Sequence, residues 1–299
     1  MINLASFRYR NILAEAGGPV ERLAIVDTTV LGERQFQANA FLRPELVAWR
    51  TAGKVFGDAA GTGTADSPME ARFKAISEAI ERWAHMAVIT SPDCHRYGFD
   101  MDPSSNGMAA FPGLFRRQAR FSALMEAAER FNVLSWWEGR LAAKEVVTPW
   151  PGVGAAVLES GAPGVTVILY RRAPGGHYAY GHAAGPDFES AGRRAAVELE
   201  RHEFVVQRYL LAHAGLTAEE LPRTAHPIER RSLFFAQPEG HELFLERLRS
   251  TPRRERRQPV LVYDGPVRGP WEKYAGVWRV VYEPPSERFL GSDEQYFFW

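Results

Sequence analysis

The sequence predicts a mixed α/β fold in a single domain. Three segments have the three- and four-residue apolar spacing of amphipathic helices, and runs rich in β-branched and aromatic residues lie between them. Helical and extended segments interleave along all 299 residues, and no linker or shift in composition marks a boundary. With 45% hydrophobic residues, the chain can bury a substantial core. We therefore predict one domain over residues 1–299, with residues 1–50 as a candidate peripheral subregion.

The first predicted helix has the clearest start signals. A glycine-rich loop leads into Ser67, a natural N-cap, and Pro68, which suits the first helical position. This helix is predicted over residues 69–87. Similar amphipathic spacing predicts a second helix over 115–134 and a third over 188–214.

Strand signals lie between and after the helices. The runs G-V-T-V-I-L-Y-R-R and H-Y-A-Y-G-H are separated by A-P-G-G, which predicts a β-hairpin. Two later runs, V-L-V-Y-D and G-V-W-R-V-V-Y, predict strands near the C-terminal end. This distribution places strands both between and beyond the helices, as a mixed fold requires.

Composition argues against several classes of partner. The 36 basic and 36 acidic residues balance, so no overall field favours nucleic acid or an anionic membrane surface. The single cysteine, Cys94, excludes an internal disulfide framework and fits a reducing compartment. The N-terminus is too charged for a signal peptide, and no apolar window is long enough for a membrane span. We expect a cytoplasmic protein with neither a nucleic-acid nor a membrane partner.

The polar faces of the three helices carry related groups. The first two helices share an aligned segment 48 residues apart, A-I-S-E-A-I-E-R and S-A-L-M-E-A-A-E-R. The third helix carries glutamate and arginine at similar spacing in R-R-A-A-V-E-L-E-R-H. Glutamates gathered in a low-dielectric site repel one another unless a cation compensates them. Magnesium prefers carboxylate, water and phosphate oxygens, so glutamates interspersed with arginines suit a metal-bridged polyphosphate.

Simpler interpretations stay open for each motif. Glutamate and arginine on an amphipathic helix usually face water and pair with each other. The glycine-rich loop matches neither established phosphate-binding pattern. Cys94 and His95 are more easily explained as an incidental pair, His182 and His202 as satisfied or surface residues, and Trp136 and Trp137 as core anchors. The basic run at 253–257 reads as a solvated charge run, with acidic-peptide docking as the alternative.

Three ordered segments carry a specific resemblance. G-T-G-T-A-D-S-P-M-E-A-R-F-K-A-I-S-E-A-I-E-R, A-R-F-S-A-L-M-E-A-A-E-R-F-N-V-L-S-W-W and G-H-A-A-G-P-D-F-E-S-A-G-R-R-A-A-V-E-L follow one another along the chain. In this order they resemble the three core segments of the YcaO-domain family. The resemblance implies a single YcaO-like domain in which three glutamate-bearing helices pack on β-sheets.

The resemblance also implies an activity and its residues. Members of that family use magnesium and ATP to activate a backbone amide of a ribosomally made precursor peptide, giving an azoline or, in other members, a thioamide or amidine. It implies that five glutamates contact magnesium, namely Glu78, Glu81, Glu126, Glu129 and Glu198. Candidates for contact with ATP phosphates are Lys74, Arg82, Ser122, Arg130 and Arg194. No further catalytic residue is identified.

The implied partners are a precursor peptide and a separate protein. The second protein would bind the leader peptide or deliver sulfur, because the sequence shows no appended leader-binding region. The chain is also a candidate homodimer. Two rival interpretations are a catalytically silent YcaO-like scaffold that binds a peptide or partner, and an unrelated α/β ligase or phosphoryl-transfer enzyme.

Overall fold

A computed structural model describes residues 4–47, 54–217, 220–226, 228–284, 287–291 and 293–299. The chain forms two compact units, each assembled from separate stretches of sequence. Unit 1 comprises Met1–Arg50, Asp58–Ala127 and Val260–Glu283, and unit 2 comprises Thr51–Gly57, Ala128–Pro259 and Pro284–Trp299. Compactness alone does not distinguish one domain from two, so the single domain stays a prediction.

The described residues form six α-helices and ten β-strands. The helices are α1 Ala5–Arg8, α2 Pro68–Ile89, α3 Arg117–Trp137, α4 Phe188–Ala212, α5 Arg230–Phe235 and α6 Pro238–Arg249. The strands are β1 Val20–Val30, β2 Glu33–Leu42, β3 Gly61–Ala65, β4 Met108–Phe111, β5 Ala143–Val146, β6 Gly154–Leu158, β7 Val165–Arg172, β8 Tyr178–Gly185, β9 Leu261–Val267 and β10 Gly276–Tyr282. This confirms the predicted mixed α/β class.

Unit 1 contains two antiparallel three-stranded sheets, in the orders β1-β2-β3 and β4-β10-β9. A two-residue turn of Leu31 (φ 46°) and Gly32 (φ 91°) joins β1 to β2, and positive φ at both positions is the geometry that hairpin twist favours. Residues 20–42 of the predicted peripheral subregion therefore form a hairpin whose second strand pairs with β3. Both predicted C-terminal strands are confirmed as β9 and β10.

Helix α2 packs closely on β3 because the residues at the contact are small. Its buried face presents alanines, among them Ala71 and Ala75, at the spacing of one helical turn. A Cβ atom at Gly63 of β3 would meet the backbone oxygen of Ala71 and the backbone nitrogen of Ala75. Glycine is therefore required for this approach, which leaves the opposite face of α2 for polar groups.

Unit 2 contains a four-stranded antiparallel sheet, β5-β6-β7-β8, and a helix also packs on this sheet through small residues. The predicted hairpin is confirmed as β7 and β8, with Val165 opposite Gly185. A Cβ atom at Gly181 of β8 would meet the backbone oxygen of Ala195 and the backbone nitrogen of Leu199. Helix α4 thus lies against β8 through small residues, as α2 does against β3.

Helix α3 continues further than its sequence predicts. The sequence predicts that this helix ends at Leu134, but it continues through Trp137. Trp136, 1% exposed, packs edge-on against Phe244 and Phe297 at ring-centroid distances of 5.7 Å, so tertiary burial extends the last turn. This confirms the expectation that the tryptophan anchors a core.

The described helices include none that is both long and apolar enough to cross a membrane.

Candidate functional site

The polar face of α2 begins with Glu78, which is tied to the preceding strand. One Glu78 carboxylate oxygen, Oε2, accepts the backbone N–H of Thr62 at 2.9 Å and the Thr62 hydroxyl at 3.2 Å. The Ser67 hydroxyl accepts the Glu70 N–H at 3.2 Å, which caps the helix as predicted. The G-T-G segment therefore orients a candidate metal ligand, a role for Thr62 that the sequence does not predict.

Glu81 lies at the centre of a carboxylate cluster in unit 1. Burial raises the pKa of the Glu81 carboxyl well above its ordinary value, and the neighbouring charges of Glu126 and Glu78 raise it further. Arg82 and Arg279 oppose this effect by stabilising the ionised form. Three of the five predicted glutamates are therefore close enough to interact, and burial and like charges disfavour ionisation of Glu81.

Two arginines of this cluster are held by one loop, residues 102–107. The Arg82 guanidinium donates to the Ser105 hydroxyl at 2.7 Å. Arg279 of β10 is fully buried and donates to the carbonyl oxygens of Ser104 at 2.9 Å and Asp102 at 2.6 Å. Arg279 is not among the predicted site residues, although a lone arginine inside the apolar run G-V-W-R-V-V-Y is a sequence signal for a buried charge.

His85, one turn beyond Arg82, contributes no positive charge at neutral pH. Burial lowers the pKa of His85 to about 4, and its Nε2 lies 2.9 Å from the carbonyl oxygen of Pro103, to which it donates as the neutral ring. The positive charges that face Glu81 are therefore those of arginine, which stays protonated throughout the physiological range.

Two predicted phosphate contacts of unit 1 are exposed. Lys74 forms an ion pair with Glu70 at 3.0 Å and donates to the carbonyl oxygen of Thr64 at 3.1 Å. Ser122 is exposed on α3, one turn before Glu126. Their roles stay predictions.

In unit 2, Glu129 contacts the sheet. Its carboxylate accepts from His182 Nδ1 at 2.7 Å and from the Ala184 backbone N–H at 3.3 Å. Arg194 of α4 donates to the Ala184 carbonyl oxygen at 2.9 Å. His182 is satisfied, as expected, but its partner is a candidate metal ligand, which sequence alone could not show.

The other predicted residues of unit 2 have different surroundings. Glu198 forms an ion pair with Arg201 at 3.0 Å on α4, and 46% of its side chain is exposed. Arg130 is buried, with its guanidinium 4.4 Å from the ring centre of Phe289 and 5.4 Å from that of Phe298. Arg130 therefore lies among aromatic rings, a position that helix periodicity does not reveal.

The donor set defines what this site could bind. Within the described part of the chain, no three His, Cys, Asp or Glu side chains are arranged to hold a metal ion by themselves. Magnesium bound with a nucleotide takes several of its ligands from water and phosphate, so one or two carboxylates suffice. The carboxylate of Glu81, whose ionisation burial and the charges of Glu126 and Glu78 disfavour, lies beside Arg82 and Arg279 and fits magnesium that arrives with a polyphosphate.

The raised pKa of Glu81 predicts a stability change that activity measurements would not show. As pH rises above the ordinary glutamate pKa, the unfolded chain loses this proton first, so stability falls until the folded group also ionises. In magnesium-free buffer at pH 8, Glu81→Gln should raise the free energy of unfolding by about 1 kcal/mol, because it removes a charge that burial and two neighbouring carboxylates disfavour. Denaturant titration at pH 5 and pH 8 measures this.

The control for this prediction is Glu33→Gln, at an exposed position of the β1–β2 hairpin. It should leave the pH dependence unchanged. A Glu81→Gln protein that loses stability between pH 5 and pH 8 as steeply as the native chain would contradict the assignment.

Comparisons with known proteins identify the fold. A scan against protein-family models finds no match, and neither does a search of curated protein sequences. Among solved structures, the chain has the fold of YcaO proteins. It is similar to YcaO from Methanopyrus kandleri bound with AMPPCP and Mg2+, at 17% identity and a TM-score of 0.55, covering 98% of this chain and 92% of that one.

A second similar structure is the E. coli microcin synthetase McbBCD complex, at 13% identity and a TM-score of 0.52, covering 87% of this chain and 86% of that one. The fold implied by the three sequence segments is therefore confirmed.

Proposed function

We propose that this chain binds magnesium-ATP and uses it to activate a backbone amide of a peptide substrate. The observation that carries the proposal is the cluster of Glu81, Glu126 and Glu78 beside Arg82 and Arg279, in which burial and mutual repulsion raise the pKa of Glu81. A divalent cation would relieve this repulsion, and arginines are well suited to phosphate oxygens.

The fold supports the same proposal. The Methanopyrus kandleri protein of this fold was solved with AMPPCP, an ATP analogue, and Mg2+. Magnesium supplies Lewis-acid stabilisation of phosphoryl oxygens when bound. In this chain, Glu78, Glu81 and Glu126 are the groups that would hold it, Thr62 would orient Glu78, and the guanidinium groups would neutralise phosphate charge.

The proposed reaction overcomes a poor leaving group. An amide oxygen is a poor leaving group. Transfer of the ATP γ-phosphoryl group to this oxygen releases ADP and allows the oxygen to leave as phosphate. Attack on the amide carbon by a Cys, Ser or Thr side chain of the same peptide gives an azoline, which is the product we favour. A sulfide donor would give a thioamide and an amine an amidine, and these remain the alternatives.

Several sequence-based assignments remain predictions within this proposal. These are Glu129 and Glu198 as magnesium ligands, Lys74, Ser122, Arg130 and Arg194 as phosphate contacts, a cytoplasmic location, and homodimer formation. We also propose a separate partner protein that binds the leader peptide or delivers sulfur. The similar microcin synthetase structure is a complex, which is compatible with such a partner.

Isothermal titration calorimetry with ATP tests the proposal. We expect binding in magnesium buffer and at least tenfold weaker binding in EDTA, because the carboxylate cluster repels a bare polyphosphate. Phosphate release on adding candidate peptides then distinguishes an enzyme from a silent scaffold. Identical ATP binding with and without magnesium, or no binding in either buffer, would reject the proposed site.

A further inference from the structure

Unit 2 carries a concentrated positive charge on and after α6. Residues 247–257 contain six arginines and one glutamate, in a chain whose total charge is zero. The backbone N–H groups of Arg253 and Arg254 both donate to the Gly139 carbonyl oxygen at 3.0 Å, and Arg254 pairs with the buried Glu138 carboxylate at 2.9 Å. The basic run is exposed to solvent, as predicted, and these contacts anchor its first residues to the unit.

A pocket of about 260 Å³ lies beside this run. Its lining includes the guanidinium-bearing residues Arg247, Arg253 and Arg288 and the apolar side chains of Trp137 and Leu243. It thus offers positive charge next to apolar surface, a combination that suits a ligand with both a carboxylate and an apolar group.

The arginines of this pocket differ in what they already bind. Arg247 donates through Nε and NH2 to the Trp136 carbonyl oxygen at 3.0 and 2.9 Å, so its guanidinium is fixed. Arg288 pairs with Asp293 at 2.7 Å. Across the described ranges, no hydrogen bond or ion pair forms at the exposed Arg253 guanidinium. Arg253 is therefore the group with donors to offer an incoming anion.

The electrostatic surroundings support an anionic ligand. Burial lowers the pKa of Arg247, and the positive charges of Arg253 and Arg254 lower it further, while Glu138 and Glu246 oppose this effect. Burial likewise lowers the pKa of Arg140, and Arg257 and Arg254 lower it further, while Glu138 and Glu255 oppose this effect. These arginines repel one another, and an added negative charge would reduce that repulsion.

We propose that this pocket binds an acidic segment of a peptide, with a carboxylate paired to Arg253 and a neighbouring apolar side chain packed on Trp137 and Leu243. A peptide fits better than a nucleic acid for two reasons. The chain has no net positive charge to attract a polyanion, and Glu246 lines the pocket while Glu255 interrupts the arginine run. Isolated carboxylates can avoid these two glutamates, whereas a continuous phosphate backbone would meet both.

We take the peptide bound here to be the substrate that the enzyme modifies, and this assignment rests on the proposed function. Binding of an acidic peptide to the pocket does not depend on the proposed function. Fluorescence anisotropy should therefore be measured in EDTA without ATP, using a dye-labelled dodecapeptide of alternating glutamate and leucine. The same peptide with glutamine in place of glutamate is the control ligand. We expect the acidic peptide to bind about tenfold more tightly, and its affinity to fall with added salt.

Matched variants locate the interaction. Arg253→Gln should weaken acidic-peptide binding by about tenfold, and Arg253→Lys should retain part of it because the charge remains without the planar fork. Arg208→Gln, at an exposed arginine of α4, removes the same charge elsewhere in unit 2 and should have no effect.

Three results would each overturn the inference. They are equal affinity for the acidic and amide peptides, native affinity in Arg253→Gln, and tighter binding of a twelve-nucleotide single-stranded RNA than of the acidic peptide. Failure of ATP binding with intact peptide binding would instead reject the proposed function and leave this site in place.

Discussion

Replacing Glu78 or Glu126 by glutamine is expected to lower magnesium-dependent ATP turnover by about 100-fold or more, the scale on which loss of one transition-state-stabilising group reduces rate. Both carboxylates act on Glu81 in the native chain, so each contributes to the charge that would hold the metal. Glutamine keeps the shape and one acceptor oxygen but removes the negative charge, so the fold should persist. Phosphate release at saturating peptide measures the effect.

The control for this experiment is again Glu33→Gln, which neutralises an exposed glutamate of unit 1 away from the cluster. Its turnover should match that of the native chain. Full activity in both Glu78→Gln and Glu126→Gln would favour the rival interpretation, in which the helix glutamates are surface groups of an unrelated ligase or phosphoryl-transfer enzyme.

Replacing Gly181 by alanine is expected to destabilise the protein by about 3 kcal/mol or more, at the upper end of overpacking effects. The added methyl group would meet backbone atoms of Ala195 and Leu199 on α4. Backbone atoms cannot rotate aside as a long side chain can, so the helix would have to move away from β8. Thermal and denaturant unfolding measure the loss.

Gly192→Ala, on helix α4, is the matched control. Its Cβ atom would lie at ordinary van der Waals distance, 3.5 Å, from the Trp150 ring, and alanine favours helices over glycine by about 1 kcal/mol. This variant should be neutral or slightly stabilised. Equal stability of the Gly181→Ala and Gly192→Ala proteins would contradict the close approach of α4 to β8.

Much of the secondary structure could be predicted from local signals. Ser67 and Pro68 mark the start of α2 because capping depends on residues adjacent in sequence. The β7–β8 hairpin could also be predicted from sequence, since A-P-G-G separates two β-rich runs. The end of α3 was not, because its final turn depends on burial of Trp136 against rings more than 100 residues away in sequence.

The residues of the candidate site likewise divide into those that the sequence predicts and those that only the folded chain reveals. Helix periodicity placed Glu78 and Glu81 on the polar face of α2, and the repeat of that pattern pointed to Glu126. Arg279 was missed because it comes from a strand almost 200 residues after Glu81, and only the folded chain shows that the two charges interact. Arg130 stays a predicted phosphate contact, and its burial beside Phe289 and Phe298 depends on residues far along the chain that helix periodicity does not reveal.

The sequence by itself determined the three helices, their glutamate-bearing faces and the resemblance that indicated the fold, because these depend on spacing along a single segment. Only the tertiary structure decided which charges meet, which of them are buried and which are already paired. Electrostatic energy depends on distance and solvent exposure, and both are set by residues far apart in the chain.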